Sequence, residues 1–270
     1  MSIKPIRVSV CGAMGKMGER IFRCIQEEKD LIVSGAVERG GHPQCGKDIG
    51  MLLGGEPLNV VLTDNMDACL AKSDVVIDFT SREAAMKNVN MAVRHRVAMV
   101  IGTTGLTSED EKTIYEAASE IPIVKAPNMS VGVNLLYKLV AEAAKGLGDG
   151  YDVEIVETHH RFKKDAPSGT ALQLARVVAE ALGHEPEKGY VYGRQGDVGA
   201  RKSGQIGVFA VRSGDVVGEH TVVFGGIGER VELTHRAHTR DTFARGAIRA
   251  ARFAAGHSPG LYSMMDVLGM

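Results

Sequence analysis

Residues 6–18 constrain the fold more than any other stretch. Ile6-Arg7-Val8-Ser9-Val10-Cys11 alternates with the two-residue period of a strand and runs straight into Gly12-Ala13-Met14-Gly15-Lys16-Met17-Gly18. Beyond it Met17, Ile21, Cys24 and Ile25 recur at helical spacing. A strand, a glycine turn and a helix in that order form a known anion site, because glycines let a phosphate approach the backbone N–H groups at the helix start. The G-x-x-G-x-x-G spacing is a variant of the commoner G-x-G-x-x-G of dinucleotide sites. Twenty residues past Gly18, the apolar run Leu31–Val37 ends in Glu38, where a carboxylate can hold the adenosine ribose hydroxyls. Arg39 follows, placed to accept a 2′-phosphate. The pair predicts that both NADH and NADPH are used.

The next hundred residues repeat one pattern. Val75-Val76-Ile77-Asp78-Phe79, Ala98-Met99-Val100-Ile101 and Ile121-Pro122-Ile123-Val124-Lys125 are short apolar runs separated by helix-like spans, one from near Ser81 and one over 108–119. That is how buried parallel strands read. Each run ends in a turn, Phe79-Thr80, Gly102-Thr103-Thr104-Gly105 or Ala126-Pro127-Asn128-Met129. Ligands of open α/β sheets lie beyond the carboxyl ends of the strands, so these turns are expected to line a cofactor cleft together with Gly12, Ala13, Met14, Gly15, Lys16 and Met17. Residues 58–62 read as a further short strand.

The pattern then changes. A helix over 131–145 and a strand over 151–157 lead into Glu157-Thr158-His159-His160-Arg161-Phe162-Lys163-Lys164-Asp165-Ala166-Pro167-Ser168-Gly169-Thr170. Five of the six residues from His159 to Lys164 carry or can carry positive charge, which opposes folding unless an anion or neighbouring carboxylates offset it. Charge runs are usually solvated loops; here imidazoles, an amine and an anion-binding helix start coincide, and that favours a site. Ser168 is the expected N-cap of a helix with Leu172, Ala175, Ala179 and Leu182 on one face, and the first-turn N–H groups near Gly169 and Thr170 can cradle a carboxylate. A small doubly negative ligand fits. Adjacent strand residues face opposite ways, so His159 and His160 share a pocket only if the strand ends near Thr158. Runs over 206–212, 216–224 and 230–237, joined by glycine turns, read as an antiparallel or mixed sheet, with a flexible loop over 193–204. A last helix over 241–255 has the length to return to the first domain.

The expected fold is α/β: a Rossmann-like parallel-sheet domain plus an α+β mixed-sheet substrate domain. Residues 1–130, completed by 241–270, form the dinucleotide-binding domain, and 131–240 the substrate-binding and oligomerisation domain. Lys plus Arg (32) nearly balances Asp plus Glu (33), so no nucleic-acid or membrane surface is expected and any anion site must be local. Cys11, Cys24, Cys45 and Cys69 form no C-x-x-C pair, and His235 and His238 lack partner ligands, so no metal is expected. With no apolar run long enough for a signal peptide or a span, a cytoplasmic protein is expected.

The block from Glu157 to Ala171 matches the His-His-x-x-Lys-x-Asp-Ala-Pro-Ser-Gly-Thr-Ala signature of the dihydrodipicolinate (4-hydroxy-tetrahydrodipicolinate) reductase family of lysine and diaminopimelate biosynthesis. Gly12 to Gly18, Asp78-Phe79-Thr80, Gly102 to Gly105, Ala126 to Met129 and Gly228-Glu229-Arg230 resemble the family's other blocks, so the similarity covers nearly the whole chain. The resemblance implies an NAD(P)H-dependent reductase of (2S,4S)-4-hydroxy-2,3,4,5-tetrahydrodipicolinate, giving 2,3,4,5-tetrahydrodipicolinate and water. It implies His159 as proton donor or acceptor, Lys163 as proton donor, and His160, Gly169 and Thr170 as contacts to a small dicarboxylate. Cofactor contacts from the first glycine turn, Glu38, Arg39, Gly102 to Thr104 and Ala126 to Met129, and a homotetramer, are implied as well. A non-catalytic NAD(P) sensor would leave His159 with Lys163 unexplained, and a thioester-forming semialdehyde dehydrogenase would need a cysteine beyond Cys69.

Overall fold

The alternation that marks the first strand also decides where its side chains go. The computed structural model describes residues 4–270, with elements in the order β1 (Ile6–Cys11), α1 (Lys16–Gln26), β2 (Leu31–Val37), α2 (Ile49–Leu52), β3 (Leu62–Thr63), α3 (Met66–Leu70), β4 (Val75–Asp78), α4 (Arg82–His95), β5 (Ala98–Ile101), α5 (Ser108–Ala117), β6 (Pro122–Lys125) and α6 (Val131–Leu147). There follow β7 (Asp152–His159), α7 (Gly169–Ala181), β8 (Tyr190–Val191), β9 (Ile206–Arg212), β10 (Gly218–Gly225), β11 (Arg230–Ala237), α8 (Asp241–Ala255), β12 (Gly260–Tyr262) and α9 (Met264–Leu268). The chain divides into two units. One runs to Val131 and takes in Asp241–Met270; the other is Gly132–Arg240.

In the first unit seven strands pair in the order β12-β6-β5-β4-β1-β2-β3, every pair parallel. Both faces are covered, as a parallel sheet requires. Val75, Ile77 and Val100 feed one core with Ile21, Phe22 and Ile25 of α1 and Ala247 and Ile248 of α8. Val76, Met99 and Ile101 feed the other with Val89 of α4 and Ile114 of α5. Helix α8 lies close because its inward residues are small. A Cβ placed on Gly246 would come 1.7 Å from the Met129 carbonyl oxygen, a backbone atom that cannot step aside cheaply. Gly246→Ala is therefore expected to cost about 1–3 kcal/mol of stability, the usual range for overpacking. A denaturation midpoint equal to that of the wild type would show that the α8 contact is looser than this.

The second unit holds a mixed sheet in the order β11-β10-β7-β9-β8, antiparallel across β11-β10-β7 and parallel across β7-β9-β8. Helix α7 covers one face through Ala171, Leu174, Ala175, Val178 and Ala179. The expected apolar face is thus corrected by about one residue: Leu172 is among the exposed large hydrophobics, and Leu182 is the C-cap. The loop over 193–204 is tied down, since Arg194 and Arg201 both donate to Glu154. The strand expected over 58–62 is also corrected, to Leu62–Thr63. The Asp48 carboxylate accepts the N–H groups of Leu58 and Val60 at 3.0 Å each and takes those donors from the ladder.

Candidate active site

Each unit carries its own part of the machinery. In the first, β1 delivers the chain to Gly12, whose φ of +72° is one that side chains resist. A Cβ on Gly18 would sit 2.3 Å from the Gly12 carbonyl oxygen, so the turn can fold back on α1 only with glycine there. Gly15 is the N-cap of α1 and supplies no side-chain cap, which leaves the helix start to an anion. Glu38, at the end of β2, accepts the Met14 N–H at 3.1 Å and the Arg39 N–H at 3.0 Å, so the acidic residue and the glycine turn are joined directly.

A cavity of about 1050 Å³ opens over this edge, lined by Gly12, Met14, Gly15, Glu38, Arg39, Phe79 and Thr80 among the expected residues, and also by His42, Asp64 and Lys87. Its size and donors fit a dinucleotide. Buried Asp78 organises the neighbouring turns: it accepts from the Thr80 hydroxyl at 2.8 Å, the Thr103 hydroxyl at 2.8 Å and the Asn88 amide at 2.6 Å. The Thr80 N–H in turn donates to the Thr103 hydroxyl at 3.0 Å. Gly102 lies against the Phe79 ring. Thr104 and Pro127 are exposed, while Ala13, Ala126 and Met129 have buried side chains and can offer a ligand only backbone atoms. Lys16 is exposed and Met17 half-buried on α1; Asn128 accepts the Ser130 N–H.

In the second unit β7 runs through His159, one residue beyond the expected end near Thr158, because β9 pairs with it as far as Arg212, and His160 lies just outside the strand. His159 therefore lies on the inward face with Glu157. Its Nδ1 is 2.5 Å from Glu157 Oε2, and its ring meets that of His220 edge-on at 5.2 Å. His160 follows, its ring 6.3 Å from that of Phe162. Lys163 donates its N–H to the His160 carbonyl, and its Nζ pairs with Asp165 at 2.9 Å, which holds the Asp165 carboxyl below the usual range. Ser168 caps α7 by accepting the Ala171 N–H, and Gly169 and Thr170 form the first turn. A Cβ on Gly169 would touch nothing, so packing does not impose the glycine.

The residues missed by sequence reasoning are Glu157, Arg212 and His220. Glu157 is fully buried and accepts four contacts: His159, both terminal nitrogens of Arg212 at 2.8 Å, and the Ser168 N–H at 3.0 Å. Burial would push its carboxyl up, but these bonds outweigh it and bring the group down to about 2. Burial and the neighbouring His159 push the His220 imidazole down to about 3, so it is neutral, with Nε2 3.1 Å from the Ser168 hydroxyl. A usable signal existed. In Val153-x-Ile155-x-Glu157 and Ile206-x-Val208-x-Ala210-x-Arg212 the two-residue period assigns a charge of each sign to the core side of neighbouring strands.

A parallel sheet with a glycine turn, an acidic residue after its second strand and a dinucleotide-sized cleft, accompanied by an acid–base cluster on a separate sheet, defines the class of NAD(P)-dependent oxidoreductases. Residues 6–129 match the family described as "Dihydrodipicolinate reductase, N-terminus", and residues 132–268 the one described as "Dihydrodipicolinate reductase, C-terminus". The chain belongs to the dihydrodipicolinate reductase family. It is 52% identical over 264 residues to 4-hydroxy-tetrahydrodipicolinate reductase of Syntrophus aciditrophicus and 54% identical over 264 residues to that of Anaeromyxobacter dehalogenans, each alignment covering 98% of both chains. Among solved structures, the dipicolinate-bound dihydrodipicolinate reductase from Paenisporosarcina sp. TG-14 superposes with a TM-score of 0.74 at 27% identity, covering 97% of this chain and 98% of that one. Although the C-terminal family region runs to 268, the last 30 residues fold with the first unit, where β12 extends the parallel sheet beside β6.

Among the described residues no group of three or more His, Cys, Asp and Glu side chains could hold a metal ion, and no helix is long and apolar enough to cross a membrane.

Proposed function

We propose that the chain reduces (2S,4S)-4-hydroxy-2,3,4,5-tetrahydrodipicolinate to 2,3,4,5-tetrahydrodipicolinate, with NADH or NADPH giving the hydride. The reading is carried by His159, Lys163 and the first turn of α7 at Gly169 and Thr170, which follow one another along the chain, in a protein whose glycine turn and Glu38 suit a dinucleotide. In the balanced reaction, substrate, reduced cofactor and one proton give product, oxidised cofactor and water. Loss of the 4-hydroxyl as water leaves a carbon–carbon double bond conjugated with the ring C=N. When bound, the nicotinamide supplies a hydride to the former carbinol carbon. Lys163 gives the proton that the displaced electron pair requires, His159 gives or takes a proton, and the first turn of α7 at Gly169 and Thr170, with His160, holds a carboxylate. The Glu38 carboxylate and the Gly12 to Gly15 turn hold ribose and pyrophosphate, and the Ala126 to Met129 and Gly102 to Thr104 turns flank the nicotinamide half. A sensor without chemistry has no use for this acid–base cluster.

The test is initial rates with enzymatically generated substrate. Both cofactors should be oxidised only when substrate is present, with selectivity within about 1.4 kcal/mol, or tenfold. Exposed Arg39 is assigned to the 2′-phosphate, so Arg39→Ala should weaken NADPH and spare NADH. Equal loss for both cofactors removes that assignment; no oxidation in the wild type removes the function.

On the same reading the enzyme is a homotetramer of the cytoplasm, where reduced nicotinamide cofactor is available. What supports assembly is the second sheet's face opposite α7, where Val156 and Val211 are 37% and 42% exposed and Phe209 and Val223 half-buried. Light scattering at micromolar concentration should give four times the chain mass; a monomer contradicts it, as does activity outside the cytoplasmic fraction of the source cells for the location.

A further inference from the structure

We infer that Glu157 is the positioning residue of the acid–base histidine: its carboxylate keeps a proton on His159 Nδ1 and so presents Nε2 as the atom that exchanges a proton. The inference rests on the reading of His159 as an acid or base.

The Nδ1···Oε2 distance of 2.5 Å requires a hydrogen between the two atoms. A carboxylate held down to about 2 has none to give at neutral pH, so the hydrogen belongs to the ring. Glu157 is also fixed in place. Its two oxygens receive the two terminal nitrogens of Arg212 from β9, and Oε1 receives the Ser168 N–H as well. With no exposure and every approach filled, the carboxylate cannot turn away, and a proton on His159 Nε2 would leave two acceptors facing each other. The remaining neighbours agree. His220 of β10 is neutral, with its Nε2 at the Ser168 hydroxyl, while His235 of β11, opposite His220, is pushed down by burial, so neither imidazole competes for the charge of Glu157. A Cβ on Gly218 of β10 would come 3.0 Å from His159 Nε2, so the glycine keeps that nitrogen uncrowded. When Nε2 takes a proton, the imidazolium is stabilised by Glu157 without reorientation, the role an acidic orienting group plays in other triads.

The substitution Glu157→Gln separates charge from shape. Oε1 faces two obligatory donors, the Ser168 N–H and one Arg212 nitrogen, whereas Oε2 faces one Arg212 nitrogen and a histidine able to change tautomer. The amide NH2 will therefore turn toward His159 and force Nδ1 to accept.

The experiment is a two-bond 1H–15N correlation spectrum of protein labelled at histidine, without substrate or cofactor, with His159→Gln to assign the ring. The wild type should carry a proton on Nδ1 throughout pH 6–9. In Glu157→Gln the neutral Nε2–H tautomer should appear, with kcat lowered about 10²-fold or more and the Kd for NADH unchanged. A wild-type spectrum with Nδ1 unprotonated overturns the inference, as does a folded Glu157→Gln variant within threefold of wild-type kcat. Should the variant not fold, the wild-type tautomer decides alone. Because the spectrum needs no turnover, its outcome is independent of the substrate assignment.

Discussion

Lys163→Ala is expected to lower kcat by about 10²–10⁴, the usual worth of a positioned acid, and to leave cofactor binding alone. The amine belongs to the second unit and the dinucleotide cleft to the first, so binding and chemistry should separate cleanly in this variant. Asp165, 2.9 Å from Nζ, orients the ammonium in the free protein. Truncating Thr170 should act mainly on KM, because the carboxylate contact proposed for it would be made in ground and transition states alike. A steady-state series on both variants at saturating NADH reads the two effects. If Lys163→Ala keeps wild-type kcat and raises only KM, the lysine is an electrostatic anchor for an anionic substrate, and the proton comes from His159 or from water.

Acid should destabilise the second unit through Glu157. Its carboxyl titrates near 2 when folded and near the ordinary 4.5 when unfolded, so the folded state prefers the charged form. A depressed value contributes stability that is complete above the unfolded pKa and is lost as pH falls from about 4.5 toward 2. The full contribution is on the order of 3 kcal/mol, and on the order of 2 kcal/mol should disappear between pH 5 and pH 3. Glu157→Gln removes the titrating group, so the stability difference between wild type and variant should shrink by that amount over the interval. Chemical denaturation at the two pH values measures it. A difference that does not change with pH would mean that the carboxylate is no better held in the folded protein than in the unfolded chain.

Much of the fold was legible because its elements have strong periods. Residues 6–11 alternate, the runs of β2, β4 and β5 are short and mostly apolar, and α8 occupies Asp241–Ala255 as its pattern predicts. What escaped has local physical causes. β12 is three residues long, too short to show a period, and becomes a strand only because β6 offers an open edge. Leu58 and Val60 have strand-like side chains, but Asp48 takes their backbone donors. On α7 the alanines let the helix sit closer to its sheet than leucines would, so Ala171, Ala175 and Ala179 turn inward and Leu172 does not.

The site was legible in part, and the division follows the same logic. Clusters along the chain, such as His159 with Lys163 or the Gly12 to Gly18 turn, announce themselves by proximity. Glu157, Arg212 and His220 meet only through strand register: Glu157 lies opposite His220, and Arg212 opposite His159. No single stretch shows that a carboxylate, a guanidinium and two imidazoles share one face.

The most direct measurement of the central claim uses NADH deuterated at the transferring position of the nicotinamide, with product analysed by mass spectrometry and NMR. Hydride transfer from cofactor to the substrate ring predicts one deuterium per molecule of tetrahydrodipicolinate, on the former carbinol carbon, with one cofactor oxidised per product. Product without deuterium, or cofactor that binds and is not oxidised when substrate is added, would contradict it.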